Sequence, residues 1–101
     1  MSFHSSGLNP HIVISTKDLQ DPRMLEDLFL KDKSVLEYVI SVEYGANGHP
    51  HIESFHTRDK SIRQDKMKDK IIKLYGIVDH VSNSNTKFVL FHFSWIKYII
   101  F

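Results

Sequence analysis

The chain has 101 residues and a formal net charge of +1, with 42% hydrophobic and 25% charged residues. These values suit one folded domain, exclude a disordered chain, and give no argument about partners from overall charge. There is no cysteine, which excludes disulfides and thiolate zinc sites, and no apolar run approaches the roughly 18 residues needed to cross a bilayer.

The first half of the chain predicts a strand, a helix and a second strand. Residues 11–15 are a short β-branched run, which favours a strand. Asp21-Pro22 is a typical helix start, because Asp caps free amides and Pro fits the first turn, and this helix is expected to extend to about Lys31. Residues 35–44 alternate in hydrophobicity, as a half-buried strand does.

The hairpin and the second helix are predicted next. After a turn signal at residues 45–48, residues 51–55 have the pattern of a return strand. Ser61 and Gln64 have capping-box spacing, so a helix is expected to begin near Ser61. Gly76 is a typical residue to end that helix.

The last third of the chain predicts a loop, a strand and a helix. Residues 83–85 have loop composition, residues 87–93 have strand composition, and Ser94 is expected to begin a final helix that carries Tyr98. The predicted order is therefore β-α-β-β-α-β followed by a helix. That order is the ferredoxin-like split βαβ pattern, an α+β fold with helices on one face of an antiparallel sheet.

Three side chains of the predicted hairpin are candidates for holding a cation. Side chains alternate along a strand, so His51 and Glu53 share a face. If Glu43 lies directly opposite His51, all three are close enough to bind one ion. A two-residue Asn-Gly turn would instead place Glu43 opposite Ile52 and turn it away. Two carboxylates and an imidazole suit Mg²⁺ or Mn²⁺ better than Zn²⁺, although such a face is also typical of a solvated sheet surface.

Residues 42–55 resemble the second motif of the HUH-class replication initiators, the Rep endonucleases of small single-stranded DNA viruses such as geminiviruses and circoviruses. That motif reads Pro-His-hydrophobic-His-or-Gln-x-Phe, with a metal-binding Glu upstream on the adjacent strand. Residues 50–55 match it with Glu53 in the second ligand slot, where the family has His or Gln, and Glu43 lies eight residues before His51. The resemblance implies that these three residues bind the cation.

Two other motifs of the family are weaker in this chain. Residues 14–16 match the first motif loosely. The third motif, Tyr-x-x-Lys on a helix, aligns Tyr98 with the nucleophile, and Phe101 stands where the lysine belongs. The lysine is therefore either beyond the end of the sequence or replaced by Lys97. The apolar, uncapped end leads us to expect the N-terminal fragment of a longer replication protein, with a helicase domain following and oligomers as a further expectation.

The resemblance implies a sequence-specific endonuclease and strand transferase that begins rolling-circle replication on single-stranded DNA at an origin. Tyr98 would attack the scissile phosphorus with a divalent cation, Mn²⁺ or Mg²⁺, as cofactor. The site of action would be the host nucleus for a eukaryotic virus and the cytoplasm otherwise, with no membrane partner. The candidate contacts to the DNA backbone are Arg58, Lys60, Arg63, Lys66 and Lys97.

Other functions remain open from the sequence. One is a non-catalytic single-stranded nucleic-acid-binding module of the RNA-recognition kind, which stacks bases on strand aromatics. Another is a single-tyrosine transposase, which would share the cation site and the nucleophile. A third is a structural interaction domain in which His and Glu are incidental. A covalent DNA adduct would separate the first and third from the nicking enzymes.

Overall fold

The computed structural model describes residues 6–15, 18, 20–45, 48–84 and 97–100. None of the helices in these ranges is long and apolar enough to cross a membrane. The described elements are β1 (Ser6–Gly7), β2 (Asn9–Ser15), α1 (Pro22–Lys31), β3 (Val35–Tyr44), β4 (Pro50–Arg58), β5 (Ile62–Arg63), α2 (Gln64–Tyr75), β6 (His80–Ser84) and β7 (Lys97–Ile100).

The described strands form one main sheet and one small ribbon. The main sheet has five strands in the order β6-β2-β4-β3-β7, and β1 pairs with β5 in the ribbon. Neighbours from β6 to β3 are antiparallel, whereas β7 is parallel to β3. The strand β4 lies in the middle, between β2 and β3. The chain is therefore α+β with a mainly antiparallel sheet, as its sequence predicts, and the described residues contain two helices.

One side of the sheet packs against both helices and forms the core. Every second residue of β2 is buried, which is the alternation expected of a strand with one covered face. Burying one large apolar side chain stabilises the fold by about 1.5–3 kcal/mol. The core cluster consists of Ile12, Ile14, Leu25, Phe29, Val35, Tyr38, Ile40, Ile52, Met67, Ile71 and Val81.

The predicted first helix is confirmed. It begins at Pro22, and the Asp21 carboxylate accepts a hydrogen bond of 2.9 Å from the backbone N–H of Arg23. Leu25 and Phe29, one turn apart, are both buried against the sheet. The Asp21 cap and the apolar stripe of α1 are therefore both found at the residues that the sequence predicts.

The second helix begins later than predicted. Ile62 and Arg63 are extended because they pair with β1, so the helix begins at Gln64 instead of near Ser61. Arg63 is the N-cap and makes no capping side-chain bond, so the capping-box prediction is wrong. Gly76 ends the helix in the left-handed conformation with φ of 83°, which confirms the predicted end.

The loop predicted at residues 83–85 is also wrong in its first part. The strand His80–Ser84 includes residues 83 and 84 and pairs with β2. Within it, the Asn83 amide donates a 2.7 Å hydrogen bond to the carbonyl oxygen of Ile62. Backbone pairing and this amide bond outweigh the local loop preference of Asn and Ser. The strand predicted over residues 87–93 lies outside the described residues.

The predicted final helix is wrong for residues 97–100. These residues form β7, in which Tyr98 pairs with Val39 and Ile100 pairs with Ser41. Aromatic and β-branched residues fit a pleated strand, and the pairing satisfies the backbone groups along the edge of β3. Ser94, where that helix was expected to begin, lies outside the described residues.

Candidate functional site

The side of the sheet away from the helices is called the polar face below. It presents alternate residues of four strands, as the strand registers show. Three carboxylates, of which Glu37 is buried, and three imidazoles lie among these residues, without a lysine or arginine, so this group attracts phosphate only when a cation is bound. The polar face consists of Asn9, His11, Val13 and Ser15 from β2, Glu37, Val39, Ser41 and Glu43 from β3, His51, Glu53, Phe55 and Thr57 from β4, and His80 and Ser82 from β6.

The hairpin register places the three predicted cation ligands on the polar face. Glu43 is the direct partner of His51, and Ser41 is the direct partner of Glu53. Directly opposite side chains in such a pair have Cβ atoms about 5 Å apart. The alternative register, with Glu43 opposite Ile52, is therefore wrong.

His51 is held at one ring nitrogen, and the other lies beside Gly45. Its Nδ1 forms a short hydrogen bond with the Ser15 hydroxyl from the neighbouring strand β2. A Cβ added to Gly45 would lie only 2.7 Å from His51 Nε2. Because real Cβ contacts are not that short, the ring lies where it does only because residue 45 is glycine.

Glu53 has a partner on β2 as well. Its Oε2 lies 3.1 Å from His11 Nε2, and the two side chains are 31% and 23% exposed. The His11 ring is stacked on Phe55, with ring centroids 4.3 Å apart and planes within 4°. His80 meets His11 edge-on, with ring centroids 5.9 Å apart. Glu53 is therefore part of a packed His and Phe cluster on the polar face.

The three predicted ligands share a face, but their side chains point apart. Within the described residues, no three His, Asp or Glu side chains converge closely enough to hold an ion. Glu53 is turned towards His11, and Glu43 is exposed. Binding of one cation by all three requires the two glutamates to rotate towards His51.

Tyr98 is on the edge strand β7, not on a helix as predicted. It pairs with Val39, two residues before Ser41, which is the partner of Glu53. Two residues along a strand and two strands across the sheet place the Tyr98 Cα roughly 12 Å from the Glu53 Cα. Tyr98 therefore belongs to the same sheet as the predicted ligands.

The other three tyrosines do not offer a hydroxyl group to the polar face. Tyr38 is buried and donates to Glu26 at 2.6 Å; burial and that carboxylate raise its pKa above the ordinary value. The Tyr75 hydroxyl donates to the Asp21 carbonyl at 2.6 Å, and burial raises its pKa to about 12. Tyr44 is 65% exposed and alternates with Glu43, so it projects from the opposite side of β3.

Arg58, one of the predicted DNA contacts, makes its polar contacts within the protein. It is buried, and its guanidinium is 3.0 Å from the Asp32 carboxylate. Its Nε also donates to the Lys60 carbonyl at 2.9 Å. A contact between Arg58 and DNA would have to replace these bonds, and it stays a prediction.

Two of the remaining predicted basic contacts, Lys60 and Arg63, lie far from the cation ligands. Lys60 and Lys66 are exposed, and Arg63 pairs with Asp65 at 2.8 Å. Lys60 and Arg63 follow the C-terminal end of β4. That end is about 23 Å along the strand from His51. Lys97 begins β7 at the sheet edge. DNA that touched both Lys60 and His51 would have to run the length of the sheet.

The sequence reasoning did not identify the parts played by His11 and Ser15. The signal was present, because alternation along residues 11–15 puts both on the face of Val13. The local pattern does not show which strands pair with β2. The pairing of β2 with β4 brings Ser15 to His51 and His11 to Phe55.

The chain matches no family model, no curated protein and no solved structure. Its function is therefore argued from the polar face and from the resemblance carried by residues 42–55. The polar face carries two carboxylates and an imidazole of the predicted site, which do not converge on one point, together with stacked aromatic rings. Both features suit a ligand that carries phosphate and bases.

Proposed function

We propose that the chain is a metal-dependent, single-stranded DNA nicking and joining domain of the HUH replication-initiator type. Glu43, His51 and Glu53 hold Mn²⁺ or Mg²⁺, and Tyr98 is the nucleophile. The observation that carries the proposal is the hairpin register, with Glu43 opposite His51 and Ser41 opposite Glu53. A shift of one residue would turn Glu43 to the helix side.

The strand order supports the same proposal. The order β6-β2-β4-β3 is the order expected for the proposed ferredoxin-like split β-α-β-β-α-β sheet, and it gives the motif strand β4 a central position. A central strand has partners on both sides, so its side chains are flanked by residues from two other strands. For His51 these flanking residues are Ser15 and Glu43.

The donor types of these residues suit a hard divalent cation, and binding would require both glutamates to turn towards His51. Ser15 occupies His51 Nδ1, which leaves Nε2 as the nitrogen for a metal bond. Glu53 would exchange its contact with His11 for one with the cation. Gly45 provides the space in which the imidazole lies. Three protein donors leave coordination positions for water and a phosphate oxygen.

The reaction is a transesterification at phosphorus. The Tyr98 oxygen forms a bond to the scissile phosphorus, and the bond from phosphorus to the 3′ oxygen breaks. The phenolic proton is lost as Tyr98 attacks, and the leaving 3′ oxygen takes up a proton, so a free 3′ hydroxyl and a 5′-phosphotyrosine result. A phenol with a pKa near its ordinary value of about 10 is a weak nucleophile at neutral pH. A bound cation would supply the phosphate polarisation and charge neutralisation.

The nucleophile Tyr98 would approach the phosphate from the strand β7 rather than from a helix. In the family that residues 42–55 resemble, the tyrosine is on a helix, whereas Tyr98 is on β7 beside β3. Tyr38 and Tyr75 donate their hydroxyl groups within the protein. Tyr98 is therefore the first tyrosine to test, and Tyr44 is the second.

A covalent adduct assay tests the proposal. The protein is incubated with Mn²⁺ and a pool of single-stranded stem-loop oligonucleotides, and denaturing gels are examined for a slower protein–DNA band. We expect that band in the wild type, its loss in Tyr98→Phe and His51→Ala, and its retention in Tyr75→Phe. If no oligonucleotide gives an adduct and calorimetry detects no Mn²⁺ binding, the proposal is wrong.

A second candidate function is favoured by the stacked His11 and Phe55 rings. Non-catalytic single-stranded nucleic-acid-binding modules hold bases against aromatic side chains on a sheet, at about 1–3 kcal/mol per base. This function predicts oligonucleotide binding without Mn²⁺, weakened in Phe55→Leu, and no adduct under any condition. Fluorescence anisotropy with and without EDTA separates it from the nicking enzyme.

A further inference from the structure

We infer that a cluster of four exposed lysines at one end of the molecule binds the phosphate backbone of DNA, away from the predicted cation ligands. The cluster, called the basic corner below, consists of Lys31, Lys33, Lys60 and Lys70. Of these, Lys60 alone belongs to the DNA contacts predicted from the sequence. The inference rests on the proposed function in one respect, because it takes DNA as the ligand.

The Asp32 carboxylate brings together the three elements that carry these lysines. Its Oδ2 lies 3.0 Å from the Arg58 guanidinium and 3.8 Å from Lys70 Nζ. The Arg58 Nε donates to the carbonyl oxygen of Lys60 at 2.9 Å. The other two lysines of the corner are the chain neighbours of Asp32 itself. The end of α1, the end of β4 and one flank of α2 therefore meet at this carboxylate.

The turn that carries Lys31 and Lys33 is fixed by hydrogen bonds. The Asp32 Oδ1 accepts the Ser34 N–H at 2.9 Å, and the Ser34 carbonyl oxygen accepts the Asp59 N–H at 2.9 Å. Asp32 thus uses both of its carboxylate oxygens within the protein. Because the turn is already ordered, less conformational entropy is lost when its lysines bind a ligand.

One flank of α2 extends the basic corner. Lys66, Lys70 and Lys73 are spaced by four and three residues, so they lie on the same flank of the helix. All three side chains are exposed. The row of positive charge on α2 is therefore about 10 Å long.

The charge of the molecule is unevenly distributed. The whole chain has a net charge of only +1. The corner and the α2 flank together present six exposed lysines, beside which lie the exposed carboxylates Asp27, Asp59 and Asp69. The described residues of the polar face, by contrast, include carboxylates but no lysine or arginine. An excess of positive charge on one surface attracts the phosphate backbone of a nucleic acid.

The basic corner lies towards the end of the sheet at which β7 begins. Tyr98 pairs with Val39, and Arg58 pairs with Val35, four residues earlier on β3. Four residues of a strand span about 13 Å. A DNA strand bound at the corner would cover that distance to reach the backbone of Tyr98. The corner would therefore hold DNA that flanks the scissile phosphate.

Arg23 and Lys68 provide the matched control. Arg23 is exposed near the start of α1, eight residues or about 12 Å along the helix axis from Lys31. Lys68 is exposed on α2 but is turned by roughly 200° from Lys70. Replacing the control pair with glutamine lowers the net charge by as much as replacing Lys31 and Lys33 does. A difference between the two variants therefore depends on position and not on net charge.

The experiment measures DNA binding by fluorescence anisotropy in EDTA, so that neither a cation nor cleavage contributes. The probes are a labelled single-stranded oligonucleotide, the same sequence as a duplex, and vesicles that contain an anionic phospholipid. Circular dichroism checks that each variant is folded. The proteins compared are the wild type, Lys31→Gln/Lys33→Gln, Lys60→Gln/Lys70→Gln and Arg23→Gln/Lys68→Gln.

We expect each corner variant to bind single-stranded DNA more weakly, on the order of 10-fold at low salt, and the control variant to bind as the wild type does. Each phosphate contact adds about 0.7 to the slope of log affinity against log salt concentration. That slope should therefore fall by about 1 to 1.5 in each corner variant. The duplex carries the same phosphates, so a parallel loss there supports the inference as well. Lys31→Arg/Lys33→Arg keeps the charge and should restore binding.

Three outcomes would overturn the inference. Equal losses in the corner variants and the control variant would show an effect of net charge alone. Unchanged DNA binding in both corner variants would show that the backbone lies elsewhere. Binding of the wild type to the anionic vesicles but to neither form of DNA would assign the corner to a membrane surface.

The adduct assay separates this inference from the proposed function. A covalent adduct in the wild type, with equal DNA binding in all variants, leaves the proposed function standing and removes the basic corner. DNA binding that depends on the corner, without an adduct on any oligonucleotide, supports the inference and removes the nicking function.

Discussion

Glu43 lies directly opposite His51 across the β3–β4 hairpin, so their side chains project from the same face of the sheet. That pairing is what makes a shared cation possible, because neighbouring Cβ atoms at such positions are about 5 Å apart. It also makes the residues that shape the hairpin end important for the site. A Cβ on Gly45, two residues after Glu43, would lie against the His51 ring.

Replacing Gly45 with alanine should weaken cation binding while leaving the fold intact. The new Cβ would lie 2.7 Å from His51 Nε2, so the ring must move. A ring at the end of a side chain can move at small cost, so we expect less than about 1 kcal/mol loss of folding free energy. The Mn²⁺ affinity from calorimetry and the unfolding free energy from urea titration check both parts.

Gly48→Ala is the matched comparison and should show the opposite result. Gly48 has a φ of 77°, and nothing lies within 4 Å of an added Cβ. Alanine in this left-handed conformation costs about 1–2 kcal/mol. We therefore expect lower stability without a direct effect on His51. Equal losses of Mn²⁺ affinity in the two variants would contradict the role given to Gly45.

Removing Asp32 should destabilise the fold strongly. Its carboxylate lies 3.0 Å from the buried guanidinium of Arg58 and 3.8 Å from Lys70 Nζ. Asp32→Ala leaves Arg58 buried without this partner, and breaking a buried pair costs about 3 kcal/mol. Urea unfolding measures the change. Arg63→Ala, which breaks an exposed pair with Asp65, should cost less than about 1 kcal/mol.

Buried His56 should make the protein less stable in mild acid. Burial, followed by the charge of Arg58, lowers the pKa of His56 from 6.5 to about 3. Between these values the unfolded chain binds a proton that the folded chain does not, so the free energy of unfolding falls as the pH falls from about 6.5 towards 3. Urea unfolding at a series of pH values should show that slope.

His56→Leu tests the origin of that slope. His56 is 1% exposed, and its Nδ1 has no hydrogen-bond partner among the described residues. An apolar side chain of similar size removes both the titrating group and the unpaired nitrogen. We expect a flatter pH profile above about pH 4, where Asp32 is still ionised. Burial raises the pKa of Asp32, but the Ser34 N–H and Arg58 outweigh burial, so that this pKa is lowered overall. An unchanged profile would show that His56 is not the cause.

Tyr75→Phe should lower stability and leave DNA cleavage unchanged. The Tyr75 hydroxyl donates to the Asp21 carbonyl and accepts the Leu25 N–H at 3.0 Å, which joins the end of α2 to the start of α1. Losing both bonds should cost about 1–2 kcal/mol. Tyr44→Phe, at an exposed position, should change stability by less than about 0.5 kcal/mol. An adduct lost in Tyr75→Phe would contradict the assignment of Tyr98.

The parts of the structure that follow from short segments could be predicted from the sequence. The start of α1 needs only Asp21 and Pro22, and the structure places the cap there. The hairpin strands follow from alternation. The pairing of Glu43 with His51, however, came from the spacing of a known motif, because the local pattern allowed two registers.

The parts that depend on distant partners were mispredicted. Ser61 was expected to cap α2, but β1 holds Ile62 and Arg63 extended. The helix expected at Tyr98 is replaced by a strand because β3 offers an unpaired edge. The partner strands β1 and β3 are both far in sequence from the residues that they hold extended. Local propensity cannot report an edge that another part of the chain provides.

The parallel strand β7 also has a consequence for solubility. Lys97–Ile100 pairs with the side of β3 that faces away from β4. Without these residues, the N–H and C=O groups of β3 opposite them would form an open edge, which is a template for strands of other molecules. We therefore expect a chain shortened before Lys97 to self-associate. The strand β7 thus covers this edge of the sheet as well as carrying Tyr98.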